Sequence, residues 1–179
     1  MQPTILALVE RRSFENAHCS IARSMDVLGD WWNPLIIREC LYGVTRVDEL
    51  QGWLNNGRNI LAQRLAKLVD QGILERRLYQ ERPPRYEYQL TEKGYDAAKV
   101  VIATMPFGDE WMFGEGREPI RIYDRETHQR VRPVVVDANT GEPIHPRRLY
   151  AGPGPAFPPV DDVRRRRFVE YYERRSDPG

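Results

Sequence analysis

The sequence predicts an α+β fold that is mainly helical: a helical domain closing in a β-hairpin, then a hairpin-rich appendage and a short terminal helix. Three observations predict it. First, composition changes after Gly114: 13 of the 14 leucines of this 179-residue chain precede that point, and nine of its 14 prolines follow it. Leucine at helical spacing packs a helical core, whereas Pro- and Gly-rich sequence makes turns and short strands. Second, Leu61, Leu65 and Leu68 recur with a helical period, whereas Tyr86, Tyr88 and Leu90 alternate with a period of two. Third, Val160 to Arg175 is charged, with Val163, Phe168, Val169 and Tyr172 interspersed as on a short amphipathic helix. The expected units are a domain over 1–114, a Pro/Gly-rich β-hairpin appendage over 115–159 and a charged C-terminal helix over 160–179. No internal repeat is evident.

Residues 4–13 read as a short amphipathic helix with Ile5, Leu8 and Val9 on one side. Cys19-Ser20 precedes a second helix, Ile21 to Leu28, stopped by Gly29. Asn33-Pro34 supplies an N-cap and a first-turn proline for a third helix, Leu35 to Tyr42, which Gly43 ends. Thr45 is placed to cap a fourth helix through Leu50 and Leu54, with Glu49 near the capping-box position. Asn55-Asn56-Gly57 is a turn. A fifth helix runs from Arg58 to Gln71, with Gly72 just past its end. Leu61, Leu65 and Leu68 form its buried stripe; Asn59, Gln63, Ala66 and Lys67 fall on the opposite face, flanked by Arg58 and Arg64.

Two β-like runs follow, Ile73 to Tyr79 and Tyr86 to Leu90, the second alternating Tyr86, Tyr88 and Leu90 against Glu87 and Gln89. The two prolines of Gln80-Glu81-Arg82-Pro83-Pro84-Arg85 stiffen the connection and hold Arg82 and Arg85 at its tip. Thr91-Glu92-Lys93 opens another helix, which Pro106-Phe107-Gly108 divides into pieces of about 91–104 and 106–113. Helix, helix, turn, helix, then a hairpin with a cationic tip is the order of a winged helix-turn-helix. Amide and cationic donors beside a small residue are the groups that read base edges and phosphates. The candidate DNA-binding set is therefore Arg46, Arg58, Asn59, Gln63, Arg64, Lys67, Arg76, Arg82 and Arg85.

Charge placement supports that set. Lys and Arg number 27 against 26 Asp and Glu, a net charge of +1, which excludes a histone-like polycation and an acidic tail protein. Arg supplies 24 of the 27. Arg is the preferred fork for phosphates and guanine edges, but GC-rich coding also inflates it without function. Position separates the two explanations: residues 58–85 hold seven basic side chains against three acidic, whereas 1–114 as a whole hold 14 against 15. The 13 Arg after Gly114 sit among 11 acidic residues, and Arg164-Arg165-Arg166-Arg167 has Asp161, Asp162, Glu170 and Glu173 beside it, as on a solvated or interface face.

Other classes lack their residues. No G-x-S-x-G, P-loop or H-E-x-x-H is present and there are three His, so no enzyme is expected. The apolar stretch Ile5 to Val9 is too short for a signal peptide, no run approaches the roughly 18–20 apolar residues of a membrane span, and two cysteines fit a reducing compartment. A cytoplasmic protein without membrane association is expected.

Four stretches carry a family resemblance: Cys19-Ser20-Ile21 with Leu28-Gly29-Asp30-Trp31-Trp32; Ile36-Ile37-Arg38-Glu39 with Gly43-Val44-Thr45-Arg46; Arg58 to Leu65 through Gly72-Ile73-Leu74; and Tyr79 with Arg82 to Tyr88 and Leu90-Thr91-Glu92-Lys93-Gly94. In this order they resemble the HxlR-type branch of the MarR-like winged-helix transcription regulators, over roughly residues 18–114. The resemblance implies a homodimeric regulator of double-stranded DNA. The terminal helices of the winged domain would form the dimer interface, and the recognition helices would enter major grooves about 34–36 Å apart. The chain departs from the family at Val47, where Phe is usual, and at Pro106-Phe107-Gly108, where a longer dimer helix is usual.

Cys19 matches the position of the family's thiol sensor, which implies an oxidant or small-molecule effector; a thiol at a helix N-terminus is open to such chemistry. The alternative is a small lead-in residue. Cys40, among Ile36, Ile37 and Leu41, reads as a packed core thiol, and a Cys19–Cys40 bond between subunits is a further alternative. In the appendage, Ile120 to Tyr123 and Val131 to Val136 flank a turn at Asp124–His128, and a second turn spans Asp137–Gly141. It resembles tails that in some family members carry zinc-ribbon-like Cys pairs. Here those turns have no Cys, and His128 and His145 alone make a poor site, so no metal or cofactor is expected. Trp31, Trp32 and Trp53 are either aromatic core or the lining of an effector pocket. The competing function is a winged-helix module for protein interaction, which would need an apolar outer face on the fifth helix.

Overall fold

Leu61, Leu65 and Leu68 are fully buried, as their spacing requires, and join Ile36, Ile37, Leu50, Ile73 and Leu74 in one hydrophobic core. These packing relations come from a computed structural model that describes residues 13–54, 57–114, 116–157 and 163–176. The expected helix at 4–13 lies almost wholly outside the described residues, as does Asn55-Asn56 of the expected turn. Four helices, α1 (Ser20–Leu28), α2 (Trp32–Tyr42), α3 (Val47–Leu54) and α4 (Arg58–Asp70), precede an antiparallel hairpin of β1 (Leu74–Gln80) and β2 (Arg85–Leu90). Then come α5 (Glu92–Ala103), α6 (Met105–Gly108) and a π-helical turn over Asp109–Phe113. The break between α5 and α6 falls at Thr104, two residues before Pro106, as proline requires. This is a winged helix-turn-helix.

Two glycines turn the chain sharply out of helices. Gly43 and Gly72 take φ of +99° and +69°, a region that costs glycine little. At the first, the Gly43 N–H donates to the Cys40 carbonyl and the Val44 N–H to that of Glu39; at the second, Gly72 donates to Val69 and Ile73 to Leu68. Both are Schellman closures, so α4 passes into the hairpin with no slack. The hairpin pairs Leu74 with Leu90 and Arg77 with Glu87, and its register shifts between Leu78 and Gln80, leaving Tyr79 as the extra residue.

Two expected caps are not formed. α2 begins at Trp32, not after Asn33: Asn33 is buried and its amide donates to the Val27 carbonyl at 2.6 Å, while Asp30 accepts from the Trp32 N–H at 3.2 Å. A side chain that can reach a buried carbonyl stabilises more by doing so than by capping in water. Likewise α3 begins after Arg46, because Thr45 belongs to the hairpin's edge: its carbonyl accepts from the Tyr88 N–H at 2.8 Å, and Arg46 bridges to Glu87. Thr91 does cap α5, its hydroxyl accepting from the Gly94 N–H at 3.0 Å.

In the appendage β3 (Ile122–Tyr123) and β4 (Arg130–Val131) are only two residues each, shorter than Val131 to Val136 suggested. Pro133 cannot donate to a ladder, and Val135 and Val136 pair onward instead, with Ile144 and Pro143. No internal repeat is evident in the sequence, yet one turn occurs twice. Asp124 Oδ1 accepts from the N–H groups of Glu126 and Thr127, the His128 N–H returns to the Asp124 carbonyl, and the Asp124 N–H donates to Gln129. Asp137 Oδ1 accepts from the Asn139 N–H, Gly141 returns to the Asp137 carbonyl, and Asp137 donates to Glu142. His128 takes φ +55° where the second turn has Gly141 at +75°. The appendage meets the body where the Arg125 guanidinium approaches the Leu41 carbonyl at 3.4 Å, at the C-terminal end of α2. The last described helix is α7 (Val163–Ser176).

Candidate nucleic-acid interface

The outward face of α4 carries Asn59, Ala62, Gln63 and Ala66, all exposed, with Lys67 at its edge. The Leu61/Leu65/Leu68 stripe turns this side outward, because burying it leaves the opposite side toward solvent. Two alanines, Ala62 and Ala66, lie beside the amides, so the helix can approach another surface closely there. Ile60, also partly exposed, is the one large apolar residue on this side.

Arg64 does not join that face. Its guanidinium pairs with the Asp30 carboxylate at 2.6 Å, and Asp30 is buried in the link between α1 and α2. Helical spacing placed Arg64 on the flank; only the tertiary fold supplies its partner, 34 positions earlier. The side chain of Arg58, at the first position of α4, lies outside the described residues.

On the hairpin, Arg82 and Arg85 are exposed at the tip. Arg46 and Arg76 instead lie over aromatic rings, Arg46 4.6 Å from the Tyr79 centroid and Arg76 4.2 Å from that of Tyr86. A cation over a ring is held in place while its donors stay accessible. Tyr79 and Tyr86 thus act as rests for basic side chains, a role the alternating pattern did not reveal. With Val47, Asp48, Pro84, Arg85 and Tyr88 they line a cleft of about 380 Å³ between α3 and the wing. Arg77, in contrast, is engaged by Glu75.

Cys19 is exposed at the N-terminal boundary of α1, and Cys40 is buried; both are free thiols. Burial, and then the neighbouring Glu39 carboxylate, push the Cys40 thiol up to about 12. A solvent-facing thiol and a core thiol in one subunit are not poised for a bond within it. Of Trp31, Trp32 and Trp53, Trp32 packs against the core, while the other two are largely exposed. Trp31 and Trp32 line a cleft with Gly29, Asp30 and Arg64; Trp53 does not. Among the described residues no group of three His, Cys, Asp or Glu could hold a metal ion, and no helix is long and apolar enough to cross a membrane.

Known proteins share this arrangement. The model of the HxlR-like helix-turn-helix family matches residues 27–115. The HTH-type transcriptional regulator Rv3095 of Mycobacterium tuberculosis is 33% identical over 138 residues, 77% of this chain and 87% of that protein. The regulator sll1512 of Synechocystis is 36% identical over 107 residues, 59% of this chain and 79% of that one. Among solved structures, PA1607, a candidate transcription factor, superposes with a TM-score of 0.70 at 33% identity, covering 79% of this chain and 99% of that one. PA1374 of Pseudomonas aeruginosa, another candidate transcription factor, gives 0.56 at 34% identity, covering 83% and 99%. The chain is a transcriptional regulator with a helix-turn-helix DNA-binding domain, and it belongs to the HxlR-like family.

Proposed function

We propose that the protein binds specific sites in double-stranded DNA as a homodimer, with α4 in the major groove and the β1–β2 wing on the backbone or minor groove. The observation that carries this reading is the outer face of α4: amides of Asn59 and Gln63 beside two alanines, with Lys67 at the edge, joined without slack to a hairpin tipped by Arg82 and Arg85. Amides read base edges in a bidentate manner, while the arginines and lysine contact phosphates or guanine. Arg46, seated over Tyr79 beside the wing, is placed to add a backbone contact. A module used only to bind protein would expose an apolar helix face, and here that face is mostly polar.

The dimer reading rests on the other end of the winged domain. Val100, Phe107, Trp111 and Met112, on α5, α6 and the π-helical turn, are each more than half exposed. Large apolar side chains gathered on consecutive elements mark an association surface. Cys19, solvent-facing at the start of α1, is the thiol we assign to an oxidant or electrophilic effector. Action on DNA would place the protein in the cytoplasm.

The deciding experiment is selection of genomic fragments by the purified protein, followed by a salt series on the best fragment. Binding whose logarithm falls linearly with the logarithm of salt supports the reading. If no fragment shows salt-sensitive binding, the reading is lost.

A further inference from the structure

Arg64 occupies the same turn of α4 as Gln63 and Lys67, yet its guanidinium is turned to Asp30 at 2.6 Å. Asp30 is 6% exposed, and its other oxygen accepts from the Trp32 N–H at 3.2 Å. The Arg64 Nε–H is itself buried, with no acceptor among the described residues. A side chain taking part in DNA binding would give up this buried pair and strand a carboxylate. A second tie lies near the end of α4, where the Gln71 amide reaches the Asp26 carbonyl at 3.4 Å. Residues 64 and 71 are about two turns apart. Attachment at two levels fixes both the rotation of a helix about its axis and its slide along it, which one attachment cannot do.

We infer that Arg64 is a positioning residue: through Asp30 it sets the rotation of α4, and thereby which base edges Asn59 and Gln63 meet, and it makes no phosphate contact. This rests on the DNA-binding reading above. Hydrogen bonds weaken steeply below about 120° at the hydrogen, so a rotated helix loses base-edge bonds while charge–phosphate attraction, which is less directional, persists.

The test compares wild type, Arg64→Met, Asp30→Asn and the paired substitution Asp30→Leu with Arg64→Met. The paired variant removes both charges together, so none is left unpaired in the interior. Each protein is titrated with the fragment that wild type selects and with random duplex of equal length, across a salt series. A circular dichroism melt confirms that each is folded, and the paired variant decides if a single one is not. Positioning predicts a fall of roughly tenfold in the ratio of selected to random binding, the lower range for one mismatched base pair. It also predicts a salt slope equal to wild type, and the same behaviour in Asp30→Asn, whose residue is buried. A slope flattened by about 0.9 in Arg64→Met with the ratio kept is the signature of one lost phosphate contact and overturns the inference. So does an unchanged ratio in the folded variants. Wild type that binds no duplex in a salt-sensitive way overturns the positioning role and the DNA-binding reading together, whereas the other two outcomes overturn positioning alone.

Discussion

A β carbon on Gly94 would stand 2.2 Å from the carbonyl oxygen of Ile73. The first turn of α5 therefore rests directly on the joint where α4 enters the wing. Thr91 clamps the same joint, its hydroxyl donating to the Gly72 carbonyl at 2.6 Å. Backbone cannot retreat as a flexible side chain does, so Gly94→Ala is expected to destabilise by about 1–3 kcal/mol, the usual cost of overpacking. Urea unfolding measures it. Stability equal to wild type would show that the contact relaxes freely.

Residues that read sequence and residues that bind charge should separate in binding assays. Gln63→Ala is expected to relax base choice at one position by about 1–3 kcal/mol. Arg85→Ala should weaken all duplexes alike and reduce the salt slope by about 0.9. Titrations of selected and random duplex at several salt concentrations distinguish the two. The same phenotype from both variants would contradict the division between helix and wing.

The two thiols should differ in access. At pH 8 Cys19 reacts with a thiol reagent in the folded protein, whereas Cys40 reacts only on unfolding, as its burial requires. Counting modified thiols with and without denaturant checks this. Cys40 also links stability to pH. Its folded pKa is raised, from 9.0 to about 12, so its contribution is complete below about 9 and is lost as pH rises through the folded value. Cys40→Ser, which has no thiol to ionise, should show a shallower alkaline loss than wild type.

Phe107 and Trp111 are 62% and 68% exposed on neighbouring helical segments, where the proposed dimer would cover them. Trp111→Glu is expected to weaken the dimer by about 2 kcal/mol or more, roughly thirtyfold in Kd, as for a hot-spot residue. Light scattering across a dilution series reads the mass. A dimer of unchanged strength would move the interface elsewhere.

Local patterns carried much of the fold. The stripe of Leu61, Leu65 and Leu68, the glycines at 43 and 72 and the alternation of Tyr86, Tyr88 and Leu90 each state a period or a turn that neighbours alone dictate. What could not be read needed a distant partner. Asn33 has the look of an N-cap, but Val27 offers it a buried carbonyl. Arg64 falls beside the exposed face by its spacing, and its ion-pair partner Asp30 lies 34 positions earlier. The repeated turn is a different case. Asp124 and Thr127 recur at the same spacing as Asp137 and Thr140, so the signal was present in the residues and only the Asx-turn geometry showed its meaning.

That turn also ties its own local shape to acid. Where a metal knuckle would come apart with a chelator, a loop closed by a carboxylate accepting amide protons comes apart with acid. The Thr127 amide, then its hydroxyl and the Glu126 amide, hold the Asp124 carboxyl below its usual range. Its support is present at neutral pH and disappears as pH falls through that lowered value. The shape of that turn is thus answerable to protons.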